Sequence, residues 1–282
     1  MSTQRVEVAG RTLKVSNLDK VLYPATGTTK GEVLSYYVGH AEQILPELAD
    51  RPVTRIRFPE GVDKVSFFEK NLPSGAPEWL PRVTIATPGS SRGRESVTYP
   101  LVTDLGVLVY LVNLGSLELH VPQWRVDEQG HPLPPDRMVI DLDPGPGAGL
   151  AECSRVALLV RERLEAVGLV TRPVTSGSKG MQLYGDLEGT RSADEVSAVA
   201  KSLAEHLESA HPDLVTAKMT KALRPGKVFL DWSQNNAAKT TICPWSLRAR
   251  ERPQVALPRT WEEVSAAAEG EEELTQVRMD EL

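Results

Sequence analysis

Two apolar runs in this chain end on aspartate, and they leave little freedom in how its middle folds. Met138-Val139-Ile140 leads into Asp141-Leu142-Asp143, and Val228-Phe229-Leu230 leads into Asp231. Runs this short and apolar read as buried strands. Alternate side chains on a strand share a face, so Asp141 and Asp143 point one way while Leu142 points into the core. A neighbouring strand ending on Asp231 adds a third carboxylate. Such groups repel one another unless cations neutralise them, and hard divalent ions take oxygen ligands of this kind. Two ions can clamp a transferring phosphoryl group, so the sharp reading is a nucleotidyl-transfer site. The plain alternative is strand-end aspartates that open turns, because Asp143-Pro144-Gly145 is a strong turn signal.

The charge pattern weighs between these readings. The net charge of −6 argues at first against a polyanionic partner, but Glu262 to Leu282 alone carries −7, which leaves +1 on the other 261 residues. Within that body, Lys218, Lys221, Arg224, Lys227, Lys239, Arg248 and Arg250 surround the single acid Asp231 between residues 214 and 250. A basic cluster flanking one carboxylate is what a polyphosphate or nucleic-acid groove shows, whereas a solvated face needs no such acid at its centre.

At 282 residues, 40% hydrophobic and 25% charged, the chain is ordinary globular material with ample core. No apolar stretch approaches a membrane span, and the N-terminal residues lack the apolar core of a signal peptide. Cys153 and Cys243 form no CxxC pair, which points to burial in a reducing compartment without structural zinc.

Residues 5–15 alternate in polarity around Ala9-Gly10 and read as a hairpin. A single helix is expected from a cap at Thr28 or Thr29 to about Leu48. Strands are expected at 54–58, 66–69, 117–121, 138–142 and 227–232, and on both sides of a glycine-rich turn within 174–183. Residues 107–114 read equally as helix or strand. Clear helices are expected at 151–167, closed by Gly168, and at 193–210, with a last one at 261–268. This mixture predicts an α+β domain over residues 1–268, with a central mixed or antiparallel sheet flanked by helices. Residues 269–282 read as an acidic, solvated tail behind a helix pinned by Trp261.

Other segments carry weaker chemistry. In Ser176-Gly177-Ser178-Lys179-Gly180 two glycines let backbone N–H groups approach a ligand, and Lys179 adds charge, which suits a triphosphate; a plain two-glycine hairpin explains it as well. Arg224 and Lys227 can hold phosphates, Gln234 and Asn235 offer neutral hydrogen bonds, and Arg248 adds a further guanidinium. Phe67-Phe68-Glu69-Lys70 can stack on unpaired bases, although one phenylalanine in and one out of a sheet is the simpler reading. Lys20 and Lys30, near Asn17, can pocket a terminal phosphate, and isolated lysines are ordinarily just solvated. His120, in an apolar setting, is by default a satisfied core histidine.

Together these stretches resemble the polymerase domain of bacterial ligase D, in the archaeo-eukaryotic primase superfamily. The matching segments are DKVLYPATGTTK (19–30), FFEK (67–70), LELHVPQW (117–124), IDLDPG (140–145), TSGSKG (175–180), MTKALRPGKVFLDWSQN (219–235), KTTICPWSLR (239–248) and PRTW (258–261), in family order and across nearly the whole chain. The resemblance implies the primase-polymerase fold and a template-dependent nucleotidyltransferase that fills short gaps or break ends. It implies Mn2+ or Mg2+ in a two-metal site, NTP or dNTP substrates with ribonucleotides favoured, and gapped or broken DNA bearing a downstream 5′-phosphate. It further implies Ku and a separate DNA ligase as partners, and a cytoplasmic, nucleoid-associated setting. By position, Asp141, Asp143 and Asp231 are the expected metal-binding and catalytic triad. His120, Ser176, Lys179, Gln182, Arg224, Gln234 and Arg248 are the expected nucleotide contacts. Asn17, Lys20 and Lys30 are expected to grip the 5′-phosphate, and Phe67, Phe68 and Lys70 to meet the template.

One departure stands out. The family usually has histidine where this chain has Gln182, and glutamine keeps a donor and an acceptor but carries no charge. No Lys-x-Asp-Gly ligase motif is present, which fits a standalone relative or an excised domain. Two other classes remain: a DNA-end binding module with a weakened active site, motivated by Gln182, and an Asp-x-Asp phosphatase, disfavoured by Gly145.

Overall fold

The N-terminal hairpin shows how closely local chemistry sets local structure. Thr3–Val8 pairs antiparallel with Arg11–Ser16, and the turn between them has positive φ at both Ala9 and Gly10. Two successive left-handed residues match the right-handed twist of the strands they join. In this computed structural model residues 3–87 and 95–282 are described.

A seven-stranded sheet carries the expected aspartates. Its order is Val215–Thr216, Val228–Asp231, Arg137–Pro144, Met181–Asp186, Thr171–Ser176, Pro253–Pro258 and Leu247–Ala249. Every pairing is antiparallel except Val215–Thr216 with Val228–Asp231. Along Arg137–Pro144 the pleat sorts the side chains. Met138, Ile140 and Leu142 enter a helix-covered core, whereas Val139 joins a small cluster with Val174, Tyr184, Ile242 and Ala256. Asp141 and Asp143 continue the face of Val139, away from the helices.

Helices Leu150–Glu165, Ala193–Ala210 and Trp261–Glu269 cover the other face. Leu150–Glu165 buries Cys153, Val156, Ala157, Val160 and Leu164, a stripe at helical spacing. Burying each large member contributes about 1.5–3 kcal/mol, so this stripe rather than intrinsic propensity holds the helix in place. Ser192 and Glu195 close a capping box at the start of Ala193–Ala210. Cys153 and Cys243 are buried and free, as expected.

A second sheet, in the order Thr241–Ile242, Ser116–Val121, Thr54–Arg57 and Phe67–Glu69, is antiparallel throughout. Its core includes Leu105–Asn113, where Asp104 accepts from the Val107 N–H; that cap settles the ambiguous apolar run as helix. The single helix expected to Leu48 is instead two, Lys30–Gly39 and Ala41–Leu48. Gly39 is a poor helix former, and His40 ends the first helix by leaving helical geometry, at φ −108° and ψ 21°. No helix among the described residues is long and apolar enough to cross a membrane.

The end of the chain departs most from expectation. Trp261 is pinned, its indole N–H donating to the Thr171 carbonyl at 2.9 Å. The following segment, however, is not a free solvated end. Glu271, Glu272 and Glu273 are exposed, but Leu274 is buried beside Val264 and Ala267. Beyond it the Val277 carbonyl accepts from the Val255 N–H at 2.9 Å, and Arg278 bridges Gln254. Apolar residues spaced through an acidic run return the chain to the body, Leu274 on the helix-covered core and Val277 and Met279 on the other.

Candidate active site

Strand register assembles the acids. In Arg137–Pro144, Asp141 lies directly opposite Asp231 on one side and Gln182 on the other. Opposed residues on antiparallel strands have Cα atoms about 4.5–5.5 Å apart and share a face, and Asp143 joins that face two residues on. Burial pushes the Asp141 carboxyl up to about 8, reinforced by the charges of Asp143 and Asp231 and opposed by a hydrogen bond from Gln182 and by Arg248. Asp143 is raised by burial and Asp231, with Arg224 and Arg248 pulling it back. Three mutually repelling carboxylates are a ligand set for a hard divalent cation. Among the described residues, though, no three His, Cys, Asp or Glu side chains are drawn into a closed metal cage. Asp231 is engaged locally: its Oδ1 accepts from the Ser233 N–H at 3.0 Å and from the Ser233 hydroxyl, and its Oδ2 accepts from Gln234 Nε2 at 2.9 Å.

The aspartates face a cleft of about 970 Å³ lined by residues from both sheets. All seven expected nucleotide contacts line it: His120, Ser176, Lys179, Gln182, Arg224, Gln234 and Arg248. Asp141 and Asp143 line it as well, while Asp231 reaches it through Gln234. The walls are strongly basic, because Lys221, Arg250 and Arg252 join Lys179, Arg224 and Arg248 from opposite edges of the sheet.

Gln182 is oriented by its neighbour. The Tyr184 hydroxyl donates to Gln182 Oε1 at 2.7 Å, which leaves the amide NH2 to serve Asp141. The side chain thus positions a carboxylate from the cleft floor. His120 is similarly held, its Nε2 2.9 Å from Glu118 Oε2, which also accepts from Arg248 Nη1 at 3.1 Å. Burial acts to raise Glu118, but the His120 hydrogen bond and the Arg248 charge outweigh it and hold the carboxyl down to about 2. Burial keeps His120 below the ordinary histidine value despite that partner.

Ser176 and Lys179 belong to the turn linking Thr171–Ser176 to Met181–Asp186, closed by the Ser176 N–H donating to the Gly180 carbonyl at 3.0 Å. Gly180 is obligatory there: a Cβ would stand 2.0 Å from the Leu142 carbonyl oxygen. Gly145 is equally constrained, since its Cβ would meet the Arg224 carbonyl oxygen at 1.9 Å. Both glycines let the loops that carry Lys179 and Arg224 close on the aspartate strand.

The remaining expected residues lie elsewhere. Asn17, Lys20 and Lys30 do come together at the start of helix Lys30–Gly39. The Lys20 N–H donates to the Asn17 carbonyl and the Lys30 N–H to the Lys20 carbonyl. Lys20 Nζ is engaged by Glu60 at 2.8 Å and by the Pro59 carbonyl, and Lys30 Nζ by the Ser16 carbonyl at 2.6 Å. Phe67 and Phe68 are both about half exposed, at 47% and 48%, so neither is the buried member of an in-and-out pair. They sit on the edge strand Phe67–Glu69, where each face is open enough to leave a ring in solvent. Lys70 donates to the Ala238 carbonyl at 3.3 Å.

Lys221 and Arg250 entered the sequence reading only as members of the basic cluster around Asp231, and Glu118, Arg252 and Gln254 carried no role there. Glu118 is visible only once two distant segments pack.

Residues 29–281 match the family described as LigD, primase-polymerase domain. The multifunctional non-homologous end joining DNA repair protein LigD of Mycobacterium tuberculosis is 49% identical over 273 residues, covering 95% of this chain and 35% of that protein. LigD of Mycolicibacterium smegmatis is 49% identical over 270 residues, covering 96% and 34%, and the bifunctional LigD of Bacillus subtilis is 32% identical, covering 90% and 40%. The chain therefore spans roughly a third of the length of these curated relatives. A solved structure of the polymerase domain from Mycobacterium tuberculosis ligase D in complex with DNA superimposes with a TM-score of 0.88 at 48% identity, covering 95% of this chain and 92% of that one.

Proposed function

The chain belongs to the LigD primase-polymerase domain family, and from that premise we propose that it is a template-dependent nucleotidyltransferase that fills short gaps and break ends in DNA. The observation that carries the reading is the placing of Asp141 opposite both Asp231 and Gln182, at the floor of a cleft whose walls are cationic. Nucleoside triphosphate is the substrate that fits, because its phosphates need the charge that Lys179, Arg224, Arg248, Arg250 and Arg252 supply.

Asp141, Asp143 and Asp231 would hold the divalent ions, Mn2+ or Mg2+, whose chemistry is to lower the pKa of the primer 3′-hydroxyl and neutralise the leaving pyrophosphate. The residues of the chain do the rest. Arg224 and Arg248 offset the charge of the carboxylates and of a bound triphosphate. Glu118 keeps Arg248 and His120 aimed at the cleft, so they need not reorganise when a nucleotide enters. Gln234 ties Asp231 to the same wall. Template pairing selects the base, and no residue need read it.

Within this reading Asn17, Lys20 and Lys30 bind the 5′-phosphate across a gap, and Phe67, Phe68 and Lys70 meet the template. Ribonucleotides are favoured, and Ku and a separate ligase act alongside in the cytoplasm. Primer extension on duplexes with one- to three-nucleotide gaps, supplied with each metal and each sugar type, tests it. Wild-type chain should extend the primer and Asp231→Ala should not; robust extension by the variant would refute the triad. The neutral Gln182 opposite Asp141, where the family usually has histidine, favours one second reading, a gap-binding module with a silent site. Tight binding of gapped DNA with no incorporation would select it.

A further inference from the structure

The turn that carries Ser176, Ser178 and Lys179 into the cleft is held from outside by the end of the chain. Gln276 Oε1 accepts from the Gly177 N–H at 2.7 Å, and Gln276 Nε2 donates to the Gly180 carbonyl at 2.9 Å. These backbone groups stand at the two ends of the Gly177–Gly180 segment. A primary amide is the side-chain group that satisfies both at once, since it presents an acceptor and a donor side by side. Gln276 is itself fixed. Leu274 is buried in the helix-covered core two residues before it, and the Val277 carbonyl is bonded to Val255 one residue after it. Gly177 has a φ of +66° and is packed so that a Cβ would lie 2.6 Å from Arg248 Cγ, so the same turn also touches a cleft arginine.

We propose that Gln276 is a positioning residue for nucleotide binding: it clamps the 177–180 turn in the shape that presents the Ser178 and Lys179 side chains to the substrate. The inference rests on the cleft being the nucleotide site. It assigns the acidic C-terminal segment, expected from the sequence to be a solvated tail, a part in assembling that site. The reason is preorganisation, because a glycine-containing turn left unclamped must be ordered at the moment the triphosphate binds.

The test uses the full chain with Gln276→Met, which keeps length and removes both hydrogen bonds, and Gln276→Glu, which keeps the acceptor alone. Gln276→Met should raise the nucleotide KM roughly 5- to 30-fold in single-gap filling, the loss expected of two neutral hydrogen bonds, with kcat held within about twofold. Exchange of the Gly177 amide hydrogen should quicken in Gln276→Met and stay near wild type in Gln276→Glu. KM should nonetheless rise in the glutamate variant, whose carboxylate faces the Gly180 carbonyl. An unchanged KM in Gln276→Met overturns the proposal, as does a fall in kcat and thermal midpoint together at constant KM, which marks a merely structural residue. The amide exchange needs no nucleotide. A wild-type chain that incorporates none would therefore count against the reading of the cleft, and Gly177 exchange equal to wild type in Gln276→Met would count against the clamp itself.

Discussion

Lys30 is 6% exposed, with its ammonium donating to the Ser16 carbonyl, and burial followed by the nearby Lys20 charge lowers its pKa to about 8. The sign of the consequence is fixed. The folded chain gives up this proton before the unfolded chain does, so the Lys30 contribution to stability is fully present above the unfolded value and is lost as pH falls through about 8. Phosphate binding runs the other way, because only the protonated amine attracts it. On the proposed reading, the preference for a 5′-phosphorylated over an unphosphorylated gap should fall several-fold between pH 7 and 9, as measured by competition binding at fixed salt. Lys30→Met should lower that preference and flatten its pH profile; a slope equal to wild type would remove Lys30 from the pocket. Lys20, Lys30 and Asn17 could be picked out in the sequence, but their burial and their engagement by Glu60 and Ser16 could not. Those contacts come from packing 39 and 40 residues away, for Lys20, and from a loop folding back on a helix start, for Lys30.

Among the elements, turns rather than strands set the precision of the site. The aspartate strand announces itself by its apolar run, yet it meets the loops bearing Lys179 and Arg224 only because Gly180 and Gly145 have no side chain. Alanine at either position forces backbone apart, at a cost of about 1–3 kcal/mol of overpacking. Gly168 is the control: it ends a helix at a φ of +81° with nothing within 4 Å of a built Cβ. Gly168→Ala should lower stability by about 1–2 kcal/mol from the left-handed backbone alone and leave kcat/KM unchanged. Gly145→Ala and Gly180→Ala should reduce kcat/KM at least tenfold on a single-gap substrate. Equal kcat/KM in all three variants would show that the loops do not need this closeness. The three helices behind the aspartate sheet were legible from periodicity and caps, Ala193–Ala210 in full, because a buried stripe and a capping box are local signals, whereas Leu105–Asn113 read equally as a strand. The docking of Leu274 was not, because it depends on what the segment packs against, and the break at His40 carried only the weak local signal of Gly39.

For the molecule as a whole, the cleft is a seam between two sheets, with one core behind the aspartate strands and a second that also takes Leu247, Val255 and Leu257 from the seven-stranded sheet. Tyr184 stitches that seam. It is fully buried in the seven-stranded sheet, its hydroxyl bonded to Gln182 and 3.0 Å from the carbonyl of Ile242 in the other sheet. Tyr184→Phe strands the Gln182 Oε1 acceptor in the interior, which should cost about 1–3 kcal/mol in urea unfolding without altering the m-value. It also frees the Gln182 amide to turn, so the nucleotide KM should rise along with the loss of stability. A variant as stable as wild type, with an unchanged KM, would show that the seam is held elsewhere.

The sequence by itself determined the strands that end on Asp141, Asp143 and Asp231, the amphipathic helices behind them, and the basic surroundings of the third acid. These follow from periodicity and charge within short windows, where side-chain spacing maps directly onto a face. Only the tertiary structure decided that Asp141 is paired with Asp231 and Gln182, that Glu118 holds His120 and Arg248, and that an acidic chain end returns to clamp the 177–180 turn. Register, desolvation and contacts between distant segments are properties of the packed chain, and no local pattern encodes them.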